Sequence, residues 1–260
     1  MSEVVVHHER DAAIVALEAV AARAWPAAES RRLGPWLLRA ASGWTGRANS
    51  ALPLQRTPDL TAWLPAIEAW YLERRLHPTV AVPTPTFTDL EHHLYAAGWQ
   101  AGHGGDVMVA PVDRVLALRE VTGPVFEVDD EPDADWLDAY HYRGGPLPEV
   151  ALPILRGGTP RFARLRLAGE TVAICRLAVE DRWCGIAAME VAPQQRRRGL
   201  GRTLLRRVAA AVVTDGVRDL WLQVDPDNHA ARAMYGSAGF SRHHGYRYIR
   251  ATVPGPAPDG

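Results

Sequence analysis

Two glycines one residue apart, Gly199 and Gly201, stand between a strand-like run and an amphipathic helical run, and Arg196, Arg197 and Arg198 lead into them. Met189-Glu190-Val191-Ala192 before Pro193 reads as a strand end. Leu200, Leu204, Leu205, Val208 and Val212 form one apolar stripe at helical spacing, with Arg202, Arg206 and Arg207 largely off it. A helix start leaves up to four backbone N–H groups unpaired and carries the positive end of the macrodipole. Where glycines let a phosphate approach those groups, an anion site results. Six arginines between positions 196 and 207 add charge there. Two plainer readings stand beside this one: an ordinary turn with solvated arginines, and a nucleic-acid patch, which the scarcity of interleaved aromatics disfavours.

The rest of the composition narrows the chemistry. The chain has 260 residues, 47% of them hydrophobic, and a formal net charge of −1. It is long enough for two ordinary domains and has no global pull toward nucleic acid or an anionic membrane. All 29 basic residues are arginines. Schiff-base chemistry on pyridoxal phosphate and a P-loop both require a lysine amine, so both are excluded. Cys175 and Cys184 are too few for a disulfide framework or a structural zinc site. The expectation is a cytoplasmic protein with no metal. Nothing resembles a signal peptide or a membrane span.

Read in order, the pattern predicts a helix over 11–25, two or three short strands over 34–54, a helix over 59–76 and a strand at 79–82. A helix over 89–97 closed by Gly98 and a strand over 104–110 follow. After a connection over 112–124 come a strand at 125–128, a helix over 133–140 and a loop over 144–148. Strands are predicted at 162–167, 171–179 and 183–192, then the helix after Gly199, a strand at 220–224, a helix over 228–237 and a last strand over 246–253. Residues 255–260 read as a flexible tail. Residues 43–50, polar and aromatic together, suit either a hairpin turn with a packed Trp or a substrate-facing loop.

Leu94-Tyr95-Ala96-Ala97-Gly98-Trp99 echoes Met234-Tyr235-Gly236-Ser237-Ala238-Gly239-Phe240, each between two strands. With the matching order of elements this argues for duplication. The first half has Arg56-Thr57-Pro58-Asp59 where the second has its glycine turn. The division expected is a degenerate first domain over 1–120 and a complete one over 121–254.

From about Phe126 to Val253 the sequence resembles the GCN5-related N-acetyltransferase superfamily. Arg196 to Gly201 matches that superfamily's pyrophosphate turn, Val191-Ala192-Pro193 the strand end before it, and Asn228 through Tyr235 to Gly239-Phe240 its late helix. The whole chain also looks like bacterial tandem members whose first half is a degenerate copy. The resemblance implies a mixed α/β fold and transfer of an acetyl group from acetyl-CoA, as cosubstrate, to the primary amine of a small molecule or peptide by direct attack. Nucleic acid and membrane are not expected partners, and the chain is expected to be a monomer or homodimer. A non-catalytic acyl-CoA-binding regulator and an acyltransferase for longer chains are the alternatives.

On this resemblance, Arg196, Arg197, Arg198, Gly199, Leu200, Gly201 and Arg202 bind the cofactor phosphates. Val191 and Ala192 offer free backbone groups to the pantetheine arm, as an added strand would, and Asn228 lies near that arm while it also serves as an N-cap. Tyr235 follows Asn228 by about two helical turns and can protonate the departing thiolate. A packed tyrosine is the plainer reading. Glu190, facing away from Met189 and Val191, is the candidate base, directly or through water; a surface or ion-paired carboxylate is its alternative. His141, Glu149 and Glu127 lack positional support. Cys184 as an acyl-carrying nucleophile would need activation by a neighbouring base. Trp44, Arg47 and Asn49 are the candidates for acceptor contact.

Overall fold

The computed structural model describes residues 3–141, 145 and 147–252. The chain divides into two compact units, one running to Gly105 and resuming at His244, the other from Asp106 to His243. The boundary thus lies earlier than the one expected between 120 and 121, and the return of the chain to the first unit at His244 is a feature the sequence pattern does not show.

Helix α1 (Glu3–Ala24) opens the first unit, longer at its start than expected, and stops before Pro26, whose ring cannot continue a helix. Strands β1 (Glu29–Leu33), β2 (Trp36–Ala40) and β3 (Leu52–Pro53) form an antiparallel sheet in that order. The exposed, polar Glu-Ser-Arg-Arg-Leu of β1 hid that strand from the sequence pattern. The helix expected over 59–76 is split. A 3₁₀ turn at Leu60–Trp63 precedes α2 (Leu64–Glu73), because Pro65 lacks an N–H and suits the first α-helical turn. Strand β4 (Thr79–Thr84) and helix α3 (Thr88–Ala96) follow, and Trp36, Leu38, Ile67, Tyr71, Val80 and Leu94 are the centre of this unit's core.

Strand β5 (Gln100–Pro111) leads through α4 (Val112–Leu116), β6 (Val125–Asp129), α5 (Ala134–Ala139) and α6 (Ala151–Leu155) to β7 (Pro160–Leu167), β8 (Glu170–Glu180) and β9 (Trp183–Val191). Helix α7 (Leu200–Val212), β10 (Asp219–Val224), α8 (His229–Ser237) and β11 (Ser241–Arg250) complete the chain. Helix α6 was not anticipated. Of the expected 144–148 loop, residues 144 and 146 lie outside the described residues, as does the 255–260 tail.

In the second unit the strand order is β5-β10-β9-β8-β7-β6, and among the described residues only its β10–β9 pair is parallel. This is the mixed α/β sheet expected. The apolar stripe of α7 packs on Leu165, Cys184, Ile186, Leu220 and Leu222. Residues of the opposite parity face α5, where Trp136 lies edge-on to Phe162 at 5.1 Å and donates its indole N–H to the Ala163 carbonyl.

The duplicated segments exchange their last strands. β5 follows α3, yet its residues 106–111 pair antiparallel with β10; β11 follows α8, yet its residues 245–250 pair antiparallel with β4. Asp106 secures the second unit's share by accepting from Arg242 at 2.6 Å and pairing with Arg232 of α8 at 3.1 Å. β11 therefore starts at Ser241 rather than 246, its exposed, polar first residues giving no strand alternation to read.

Candidate active site

The site begins with a break in alternation. Cys184 and Ile186 of β9 face the core under α7; so do Met189 and Val191, which have the other parity. One residue is inserted between them. The β8–β9 register slips between Ile174 and Arg176, and Ala188 takes a left-handed φ of 49°. This β-bulge turns Glu190 to the opposite face from Met189, as the sequence reading expected, and bends the strand. The parallel pairing with β10 ends at Ile186 and Leu222, so the last residues of β9 are paired on the β8 side alone.

That leaves a backbone edge. Ala192 donates its N–H to Val172 of β8 at 3.0 Å, so by antiparallel alternation the N–H and C=O of Val191 point away from β8. Ala192 was grouped with Val191 as offering free backbone groups; its N–H is instead spent on the sheet. Arg196 Nε donates to the Val191 carbonyl at 3.0 Å and ties the turn to the strand end.

The turn itself runs through a 3₁₀ segment at Pro193–Gln195, a left-handed Arg197 with φ 66° and a left-handed Gly199 with φ 81°. A left-handed non-glycine residue costs about 1–2 kcal/mol, a strain the sequence did not reveal. Among the described residues no acceptor takes the N–H groups of Leu200, Gly201 or Arg202; the first bond of α7 runs from Thr203 to Gly199. The open helix start is therefore available to an anion. A Cβ on Gly201 would meet Met189 and Met234 at an ordinary 3.5 Å, so internal packing does not require glycine there. Leu200 is buried beneath the turn, so only its backbone faces a ligand.

The six-arginine patch divides in two. Arg206 and Arg207 pair with Glu120 at 3.1 and 2.6 Å, and Arg206 also donates to the Leu116 carbonyl. Arg198 donates to Gln195, while Arg197 and Arg202 make no side-chain bond among the described residues. Positive charge thus stays at the turn and is neutralised further along the helix, which argues against an extended nucleic-acid face.

Tyr235 and Glu190 flank the bulge on opposite faces. The Tyr235 hydroxyl lies 3.7 Å from the sulfur of Met189, and its ring packs on Phe240. Burial pushes its ionisation well above the ordinary range, with the neighbouring Cys175 adding to the shift, so the phenol keeps its proton. Asn228 caps α8 by accepting from Ala231 at 3.0 Å. Glu190 is raised above its ordinary value by burial, against the opposing effects of His141 and Arg196. Its Oε1 accepts the His141 backbone N–H at 2.7 Å, and His141 Nδ1 stands 3.5 Å from Oε2. His141, which lacked positional support in the sequence, is thus the carboxylate's direct neighbour. Cys184 is fully buried with its thiol pushed up to about 12 by desolvation, which removes it as a nucleophile.

The first-unit candidates serve the fold. Asn49 accepts from the N–H groups of Ala41 and Gly43 and donates to the carbonyls of Ala41, Trp44 and Thr45, which saturates its amide. Trp44 is buried against Trp25 at 5.8 Å, and the Arg47 guanidinium lies 4.1 Å above the Trp25 ring. The 43–50 segment is therefore a packed turn rather than the acceptor-facing loop considered for it.

Residues 11–249 match the family model of the C-terminal region of the probable histone acetyltransferase Rv0428c. The protein of that name from Mycobacterium tuberculosis is 34% identical over 253 residues, covering 95% of this chain and 76% of its own length. An uncharacterized N-acetyltransferase, YobR of Bacillus subtilis, is 26% identical, covering 90% of this chain and 98% of its own. The fold matches a GCN5-related N-acetyltransferase from Kribbella flavida with a TM-score of 0.71 at 16% identity, over 93% of this chain and 96% of that one. A tandem GNAT protein from the clavulanic acid biosynthesis pathway matches with a TM-score of 0.63 at 15% identity, over 92% and 89%. The chain belongs to the family of the Rv0428c C-terminal region, and its fold is that of the GCN5-related N-acetyltransferases.

Proposed function

We propose that the unit from Asp106 to His243 transfers the acetyl group of acetyl-CoA to a primary amine of a small molecule or peptide by direct attack. The observation that carries this is the bulge at Ala188, which leaves a Val191 backbone edge beside an uncapped α7, with a phenol on one face and a carboxylate on the other. Acetyl-CoA supplies an activated acyl thioester. The N–H groups of Leu200, Gly201 and Arg202, with Arg197 and Arg198, hold its phosphates, and Val191 aligns the pantetheine arm as an added strand.

Glu190 takes a proton from the incoming ammonium, and its raised ionisation keeps it closer to neutrality than an exposed carboxylate. The amine nitrogen then bonds to the acyl carbon, the carbon–sulfur bond breaks, Tyr235 delivers its proton to the departing thiolate, and the second proton shed by the acylated nitrogen restores the Tyr235 phenol, so that the one net proton is the one taken by Glu190. A peptide amine is supported by shorter matches to relatives: a [Ribosomal protein bS18]-alanine N-acetyltransferase of Salmonella typhimurium is 36% identical over 85 residues, which cover 57% of its own length. The test is release of CoA thiol from acetyl-CoA against a panel of peptides with free N-termini, polyamines, amino acids and aminoglycosides. Turnover with at least one amine is expected. Tight acetyl-CoA binding with no turnover on any of them would favour the regulatory reading instead.

A further inference from the structure

The first unit has a cleft of its own, about 490 Å³, between the turn before α2 and the start of α3. Arg56, Thr86, Phe87, Asp89, Leu90 and His93 line it. Helix α3 has no side-chain cap: Phe87 holds the cap position that Asn228 fills in α8. Among the described residues no acceptor takes the N–H groups of Asp89 and Leu90, so the positive end of this helix is open toward the cleft. A second observation is independent of the helix. Thr86 is 2% exposed, and among the described residues its hydroxyl has no hydrogen-bond partner. A buried hydroxyl without a partner is unfavourable, and a ligand bearing an acceptor would satisfy it. Arg56 gives Nη1 to Asp11 at 2.7 Å, but its Nη2 lies 3.7 Å from the exposed carboxylate of Asp89, beyond hydrogen-bond length. That nitrogen can take another acceptor. Phe87 and Leu90 give the cleft an apolar wall.

The same turn excludes a pyrophosphate. Arg56-Thr57-Pro58-Asp59 contains no glycine, and Pro58 has no N–H to offer, so the cradle before α7 is not reproduced. We infer that this cleft binds a small anion, a carboxylate or a single phosphate ester on an apolar or aromatic body, seated on the start of α3 and held by Arg56 and Thr86. It is a second ligand site, separate in sequence and chemistry from the acyl-CoA turn.

Benzoate and phenyl phosphate serve as probes on the full chain, and they distinguish the two anion types. Backbone amide NMR should show saturable shifts of Asp89 and Leu90 with at least one probe, with a Kd of about 1 mM or tighter. Arg56→Gln and Thr86→Val should each weaken binding roughly tenfold. Thr86→Val removes an unmet hydroxyl, so its Tm should hold or rise and its acetyl-CoA turnover should stay at the wild-type level. Lost binding in that variant is then not lost fold. The inference is overturned if neither probe moves those amides, if Thr86→Val binds as well as wild type, or if acetyl-CoA displaces the probe from them.

Discussion

The two helix–glycine–strand segments show which features the fold demands and which the chemistry added. In α3 and α8 alike, a left-handed glycine ends the helix, Gly98 with φ 85° and Gly239 with φ 93°, and a buried aromatic follows. In both, that aromatic's N–H returns to the carbonyl five residues back, Trp99 to Leu94 and Phe240 to Tyr235, at 3.0 and 3.1 Å. This hydrogen bond fixes the alignment: Tyr235 matches Leu94, while Tyr95 matches Gly236. The two tyrosines, alike in the sequence echo, are therefore not equivalent in the fold. The first copy keeps the closing turn and carries an aliphatic side chain where the second carries its phenol, so the glycine belongs to the fold, and the phenol is the second copy's own feature, to which we assign the proton transfer proposed above.

Removing the phenol should break that contrast most visibly. Tyr235→Phe is expected to lower kcat about 100-fold or more with the KM for acetyl-CoA within about twofold; a wild-type kcat would make Tyr235 a packing residue like Leu94. The second-largest effect concerns the turn the first copy lacks. Gly199→Val forces a β-branched residue into a left-handed φ and brings its Cβ to 3.1 Å from Val121, and the KM for acetyl-CoA should rise about 10- to 100-fold. Unchanged cofactor affinity in a folded variant would sink the assignment of the turn.

Asn49→Ala tests the first unit's side of the comparison. It should cost about 2 kcal/mol in denaturant unfolding, through backbone groups left unpaired, and leave the KM for the amine unchanged. A selective rise in that KM would restore Asn49 as an acceptor contact.

The acidic limb of the kcat profile should lie above the ordinary carboxyl range, because Glu190 must lose its proton to act and burial raises its ionisation. His141→Ala removes an opposing influence and should move the limb to higher pH. Folding linkage has a definite sign here: a raised carboxyl gives stability that is full below its unfolded value and lost as pH rises through its folded value. Glu190→Gln should therefore raise the Tm slightly at neutral pH. The smallest effect is the shared one. Gly98→Ala, with nothing within 4 Å of the added carbon, should cost about 1 kcal/mol from φ alone, and Gly239→Ala somewhat more because Arg114 lies 3.2 Å away.

Much of this was legible because the second unit obeys simple periodicities. The stripe of α7, the cap at Asn228 and the glycine turn are written in residue types whose physics is local. The bulge was legible in principle, since apolar positions switch from Cys184 and Ile186 to Met189 and Val191. β1 and α6 were not, because exposed polar strands and a short helix containing Pro153 carry no strong pattern. His141 sits 49 residues from Glu190 in the chain, and only folding could pair them. The exchange of β5 and β11 was equally invisible, for a strand's sequence does not name its partner.

That exchange sets the terms on which the protein can be taken apart. A chain truncated after residue 243 would retain the whole catalytic unit and still strip β4 of its antiparallel neighbour. A chain begun at residue 121 would lack the strand that covers β10. Neither sequence half, cut at residue 121, carries its whole sheet: the closing strand of each unit's sheet is supplied from the other half of the chain.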